Sequence, residues 1–250
     1  MRITGRMGVA VACSFLLVVG TAVFGAPEEG WVDLSALSAW KEPAEGWSAA
    51  KSVGVDPENP KRLTFEPGES PSGLILVNGR EGKARNLVSK EVFGDVEVRL
   101  EFLMPKGSNS GIKFQEVYEV QLFDSWGAKT LKGSDSGGVY PRSEEKPKYH
   151  HIDGGHPPRV NASKPPGEWQ TLQVTFLAPR FSHRDGAKVA SARITAVLNG
   201  QVVQDNLEVT TPTGSAWKNP EKPTGALLLQ ADHGPVAFRK VEARRLGPAR

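Results

Sequence analysis

Between Asn109 and Tyr140 the chain reads NSGIKFQEVYEVQLFDSWGAKTLKGSDSGGVY, a stretch that interleaves acid, amide, amine and aromatic side chains with apolar ones. Glu119 and Gln121 are two residues apart, so on a β-strand they emerge together, opposite Tyr118, Val120 and Leu122. Lys113 and Gln115 likewise share a face of the preceding run, whose apolar side is carried by Ile112, Phe114 and Val117. Asp124 and Trp126 stand on the exit turn, and Tyr140 closes the stretch. A sheet face that collects acid, amide, amine and aromatic groups is a candidate ligand surface. The competing reading is the wetted side of an antiparallel sheet.

The N-terminus sets the expected compartment. Arg2 and Arg6 precede a nearly unbroken apolar run from Val9 to Val19, followed by Gly20-Thr21-Ala22-Val23-Phe24-Gly25-Ala26 with Val23 and Gly25 at the positions before the expected cut. That is the layout of a cleaved signal peptide over residues 1–25, and it predicts a secreted or periplasmic protein. The run is short for a membrane span. The single cysteine, Cys13, lies inside it and away from the expected cut, which argues against lipidation. A mature chain from Ala26 then has no disulfide, no thiolate metal site and no cysteine nucleophile. Without Arg2 and Arg6, 29 basic residues face 28 acidic ones, so no charge excess points to nucleic acid or a membrane surface.

The elements that must carry the candidate face read as short strands. Val96, Val98, Leu100 and Phe102 alternate with Glu97, Arg99 and Glu101 in the cleanest half-buried strand pattern of the chain. Further strands are expected around Trp31–Trp40, Leu63–Glu66, Leu74–Val77, Leu87–Phe93, Leu172–Phe176, Ile194–Leu198, Ala226–Gln230 and Val236–Val241. Asn199-Gly200 between apolar runs predicts a tight hairpin. Residues 44–60, 141–167 and 212–224 read as loops, the second long enough to be functional or mobile. With 27 Gly, 19 Pro and no sustained helical periodicity, residues 26–250 are expected to form one all-β domain, an antiparallel two-sheet sandwich or jelly roll.

Seven short motifs then occur in a telling order: Asn109-Ser110-Gly111-Ile112, Tyr118-Glu119-Val120-Gln121, Asp124-Ser125-Trp126-Gly127, Gly138-Val139-Tyr140, Lys164-Pro165-Pro166-Gly167-Glu168-Trp169, Leu198-Asn199-Gly200 and Asp232-His233-Gly234-Pro235-Val236. With Leu87–Phe102 they resemble the 3-keto-disaccharide hydrolase domain family, over about Trp31 to Leu246. The resemblance implies a concanavalin-like β-sandwich, usually exported, acting on glycosides oxidised to a ketone at carbon 3. The segments 141–159 and 181–188 depart from the family pattern.

Such a ketone acidifies the proton on carbon 2 and makes the glycosidic oxygen on carbon 1 a β leaving group. The site would need a base, a group to hold the enolate oxygen and an acid for the leaving group. Glu119 is the natural base, with Gln121 as an orienting amide and His233 as acid or metal ligand. Lys113 would stabilise the enolate, or be an ordinary surface lysine. Gln115 and Asp124 would contact the carbohydrate. Trp126 and Tyr140 would stack on a sugar ring, or pack at the sandwich edge. Glu119 and Asp124 are a poor two-carboxylate pair. Five residues of strand put them on opposite faces and about 16 Å apart, against ~5–9.5 Å in conventional glycosidases. Asp124 is therefore read chiefly as a turn anchor. His150, His151, Asp153 and His156 carry donor types that suit a divalent metal ion such as zinc or manganese, but no regular spacing fixes them. A lid is the alternative for their loop, and no metal ligands are assigned. Asn161-Ala162-Ser163 fits a glycosylation sequon. A non-catalytic carbohydrate-binding module on the same sandwich is the rival functional reading.

Overall fold

The structure, a computed structural model, describes Met1 and residues 30–41, 44–68 and 75–247. The expected signal segment therefore lies outside the described residues. Among the described residues no helix is long and apolar enough to cross a membrane.

Seventeen strands follow one another along the described chain. The first half contributes β1 (Trp31–Asp33), β2 (Ser48–Val55), β3 (Leu63–Pro67), β4 (Ile75–Val77), β5 (Leu87–Phe93), β6 (Val96–Leu103), β7 (Asn109–Phe114) and β8 (Tyr118–Phe123). After them come the two-residue β9 (Ser143–Glu144) and β10 (His150–His151), β11 (Gln170–Leu177), the short β12 (Arg180–Phe181) and β13 (Lys188–Ala190), and β14 (Ala192–Leu198). The series closes with β15 (Gln201–Val209), β16 (Gly225–Leu229) and β17 (Ala237–Arg245). All named strand pairs are antiparallel. The larger sheet runs β15-β14-β11-β6-β17-β4-β2-β3, with β1 also on β17; the smaller runs β5-β16-β7-β8.

The period-2 pattern dictates how the sheets meet. Val96, Val98, Leu100 and Phe102 of β6 are all buried, as are Leu172, Val174 and Phe176 of β11 and Ile194, Ala196 and Leu198 of β14. They share one core with Ile112, Phe114, Tyr118, Val120, Leu122, Leu227 and Leu229 of the smaller sheet. Phe176 stacks on Phe114 at 4.9 Å between ring centres and tilts against Tyr118 at 5.3 Å, which ties the two sheets together. The opposite face of β6 carries cross-strand ion pairs: Glu97 with Arg244, Arg99 with Glu242 at 2.5 Å, and Glu101 with Arg239 at 2.6 Å. Asn199 and Gly200 both adopt positive φ, 50° and 79°, as the expected hairpin requires.

Several expectations need correction. The segment 44–60 is not all loop, because β2 occupies Ser48–Val55, pairs with β3 and β4, and buries Ala50 in a second small cluster with Leu63, Val77 and Leu103. Its alternation is hidden by small residues, and Trp47 before it is buried with its indole N–H on the Arg85 carbonyl at 2.7 Å. The segment 141–167 carries the β9–β10 hairpin, and 212–224 carries a short 3-10 helix, Ser215–Lys218. The 181–188 insertion joins β12 to β13. Its Lys188 donates to Glu221 at 2.5 Å, and Glu221 also accepts from the buried Tyr118 hydroxyl.

The inter-sheet contact should dominate stability. Phe176→Ala is expected to lower unfolding free energy by about 3–5 kcal/mol, read as a shift in denaturant midpoint at unchanged slope.

Candidate active site

The register of the smaller sheet fixes the floor of the site. Lys113 lies opposite Glu119, Gly111 opposite Gln121, and Leu228 opposite Lys113. The Gln230 N–H donates to the Gly111 carbonyl at 2.9 Å, extending that pairing just past β16. Residues opposite one another share a face, so Lys113, Glu119, Gln121 and Gln230 all project away from the hydrophobic core. This face is not the wetted side of a sheet. Glu119 is 2% exposed and Gln121 1%.

Three chain segments remove it from water. Residues 137–140 run along the free edge of β8, with the Gln121 N–H on the Gly138 carbonyl at 2.9 Å and the Tyr140 N–H on the Glu119 carbonyl at 3.1 Å. Buried Gln204 staples this edge, its Nε2 donating to the carbonyls of Gly137, His156 and Pro157. The start of β8 is met by Thr213, whose Oγ1 accepts the Glu119 N–H at 3.0 Å. The third segment is the turn after β16 that carries His233.

Glu119 itself is held by a charge and a gap. Its Oε2 lies 3.2 Å from Lys113 Nζ. Its carboxyl lies over Gly111, where a Cβ would come within 2.4 Å of Oε1. Only glycine leaves that room. At Gly214, with φ 57°, a Cβ would stand 3.9 Å from both Glu119 Oε2 and the Tyr140 ring. The space between carboxylate and ring is thus kept open by a second missing side chain. Burial pushes the Glu119 carboxyl above the ordinary carboxylate range; the charges of Lys113 and His233 pull it back in part, and Asp232 adds to the rise.

His233 approaches from the far end of the chain. Its Nδ1 is 2.6 Å from Asp232 Oδ1 and 3.3 Å from Gln230 Nε2. The turn is clamped by buried Asn78, which donates to the carbonyls of Ala231 (2.9 Å) and Gly234 (2.8 Å) and accepts the Val236 N–H (2.7 Å). Ser108 Oγ donates to the Pro235 carbonyl at 2.6 Å, and Ser110 Oγ to that of Gln230 at 2.7 Å. On the opposite side the Tyr140 hydroxyl shares a hydrogen bond with that of Tyr149 at 2.8 Å, and His151 Nε2 lies 3.3 and 3.2 Å from the two. Burial first, then Tyr149 and the Glu119 charge, push the Tyr140 phenol upward, so it stays protonated. Behind Tyr140 opens a cleft of about 240 Å³ that also borders Arg142, Asp153, His156 and Thr213.

Residues 30–244 match the family described as the 3-keto-alpha-glucoside-1,2-lyase-like domain. The chain belongs to this family. It is thereby a carbohydrate-active domain, although no curated protein matches it significantly. Among solved structures it is similar to a candidate glycosyl hydrolase from Parabacteroides distasonis ATCC 8503, at 24% identity over 73% of this chain and 76% of that one, with a TM-score of 0.54. A second such protein from the same organism aligns at 16% identity over 81% and 89%, with a TM-score of 0.49. A double mutant of the alginate lyase Aly36B in complex with an alginate tetrasaccharide aligns at 10% identity over 83% and 100%, with a TM-score of 0.41. The first of these likenesses, at 24% identity and a TM-score of 0.54, is one of fold.

In this family member the structure brings together Glu119, Gln121, Lys113, Tyr140 and His233. Lys113 is no free surface lysine, since its side chain is 21% exposed and paired with Glu119. Gln115 does not join Lys113. Phe114 already pairs with Tyr118, so Gln115 and Glu116 form the turn with φ of 54° and 66°, and Val117 follows them outside the strand. Gln115 packs instead against Gly225, where a Cβ would come within 2.8 Å of its Cα. Asp124 anchors the turn as read, accepting the Gly107 N–H at 2.8 Å. Trp126 lies beyond the far end of β8, 58% exposed and outside the core. His150, His151, Asp153 and His156 do not converge: Asp153 pairs with Arg142 at 2.6 Å, His151 meets the tyrosines, and His150 Nδ1 sits 3.0 Å from the Lys148 carbonyl. Among the described residues no three His, Cys, Asp or Glu side chains are grouped to hold a metal ion. The Asn161 amide is already committed, donating to the Ser125 and Ala128 carbonyls at 2.8 and 3.2 Å.

Asn78, Gly111, Gly214 and Gln230 escaped the sequence reading. Asn78 and Gln230 carry no local signal, because strand register and long-range hydrogen bonds join them to the site. Gly111 stands within a quoted motif, but its role depends on the side chain opposite.

Gly111→Ala is expected to displace the Glu119 carboxyl and lower any activity that depends on it by about 10²-fold, with the fold retained by circular dichroism. The raised Glu119 pKa also has a stability signature. Folding holds this proton more tightly than the unfolded chain does, so the linked stability is full below the ordinary value of 4.5 and is lost as pH rises through the folded pKa. Glu119→Gln should therefore raise Tm at neutral pH, and the gain should vanish on acidification below that value.

Proposed function

We propose that the domain cleaves 3-keto-glycosides by elimination, with hydration of the product completing a net hydrolysis. The observation that carries this reading is the buried Glu119–Lys113 pair, at 3.2 Å, over a floor without a side chain at Gly111. The reaction needs a base at the hydrogen on carbon 2 and a positive charge at the oxygen on carbon 3. These atoms sit on adjacent carbons, and the pair presents a carboxylate and an ammonium side by side. Burial raises the basicity of the carboxylate toward the range useful in neutral water.

In this mechanism Glu119 removes the proton from carbon 2, and the electron pair moves onto the carbon 3 oxygen facing Lys113. The enolate then re-forms the ketone while the carbon 1–oxygen bond breaks. The departing aglycone oxygen takes a proton from His233, oriented through Nδ1 by Asp232. The products are an enone and an alcohol, and water added across the enone restores a 3-keto sugar. Gln121, on the same face as Glu119, orients the sugar, and Tyr140 stacks on it. The family description, that of a 1,2-lyase, supports the elimination half. The positive and apolar run over residues 2–19 supports export, and with it action outside the cytoplasm.

Purified protein is expected to release aglycone from a 3-keto-glucoside, and Glu119→Gln to slow release by about 10²–10⁴-fold with sugar binding retained. Undiminished turnover in that variant would remove Glu119 from the mechanism. Sugar binding without turnover of any 3-keto-glycoside would instead mark a binding module.

A further inference from the structure

Among the described residues, two amide oxygens on the site face lack a partner. Gln121 is 1% exposed and spends its Nε2 on Asn109 Oδ1 at 2.7 Å, while its Oε1 is buried with no donor among the described residues. Gln230 is half-buried as a residue, but its Oε1 is likewise buried and unpaired, and its Nε2 lies 3.3 Å from His233 Nδ1. Neither oxygen got there through slack in the chain. Gln121 is held opposite Gly111 in the β7–β8 register, and Gln230 is fixed by both its backbone N–H, on Gly111, and its carbonyl, under Ser110 Oγ. The two glutamines therefore flank Gly111 from neighbouring strands on either side, on the face where Glu119 also lies.

A buried carbonyl oxygen without a donor is costly, and natural structures rarely keep one unless something completes it. The chemistry of the surroundings selects what that is. A cation is disfavoured, because Lys113 already neutralises Glu119. What two neutral acceptors take is a pair of neutral O–H donors. Gly111 between them is covered by the Glu119 carboxyl, so both oxygens lie beside the base proposed above.

We propose that Gln230 and Gln121 accept hydrogen bonds from hydroxyl groups of the bound sugar and thereby set the site's preference for a polyhydroxylated ring over a deoxygenated one. This rests on the sugar site proposed above and adds Gln230 as a specificity-determining residue. Gln230 touches the substrate through Oε1, while its Nε2 links the same ring to the His233 turn.

The test is a cycle between protein and ligand, read as equilibrium affinity by calorimetry on the full mature chain. The ligands are a glucoside, its 3-keto form, and the analogues deoxygenated at carbon 2, 4 or 6. Wild-type protein is expected to lose about tenfold in affinity on removal of a hydroxyl that is read, and Gln230→Met or Gln121→Met to lose less than about twofold for that same removal. Equal losses in wild type and both variants would overturn the proposal. Should neither variant fold, the wild-type series alone decides: affinity unchanged across every deoxy analogue overturns it. Loss of sugar binding in chelator, restored by calcium or manganese, would also overturn it by making these oxygens cation ligands. Failure to turn over the 3-keto form, with the deoxygenation coupling intact, would count against the elimination chemistry and leave this assignment standing.

Discussion

A carboxylate taken out of water is the constraint on which the site depends. Removing Glu119 from solvent is unfavourable for its charge, and the structure answers with Lys113 at 3.2 Å rather than with a shell of amide donors. That choice shapes the surroundings. The carboxyl needs space, so Gly111 must lack a side chain, and the ion pair must be roofed, so residues 137–140 extend the sheet beyond β8. Gln204 holds that extension through three carbonyls drawn from two loops. The polar face is buried by protein, and its functional groups are poised by the same contacts that bury them.

The sandwich makes this arrangement tolerable. The inner side of the smaller sheet gives Ile112, Phe114, Val120 and Leu122 to one continuous core with β6, β11 and β14, so its strands are fixed before the outer side is considered. A strand anchored on its apolar face presents the alternate residues at set positions, and a slip of one residue would put Glu119 in the core. The larger sheet carries its polar outer face in a different way, with opposite charges matched across strands and left near solvent. Both sheets carry charge on one side; only that of the smaller one is covered.

Legibility in the sequence followed the range of the interactions. The alternation of Val96–Phe102 and of Tyr118–Leu122 is local, and both strands stand where the pattern puts them. Asn199-Gly200 is equally local, as is the Asp124 turn. The strand at Ser48–Val55 was missed because its residues are small and weakly patterned, and its identity comes from pairing with β3 and β4. Gln115 was misplaced because counting by twos assumes that the strand continues, whereas the chain reverses there. Glu119, Lys113, Gln121, His233 and Tyr140 were nameable from residue type and motif. That Gln230 neighbours them, and that Asn78 fixes the turn, depends on contacts more than a hundred residues apart for Ser110–Gln230 and for Asn78–Val236.

The Asn78 clamp has a consequence for how the protein comes into being. One side chain near the start of the domain holds both ends of a turn near its close, and that turn delivers His233 to a carboxylate made midway. A nascent chain can form the Glu119–Lys113 hairpin early, but the site stays incomplete until the segment reaching Val236 has been synthesised and docked on Asn78. The complete arrangement of these side chains is a property of the finished chain. A product truncated before that turn would keep the most conspicuous motifs and still have no complete site.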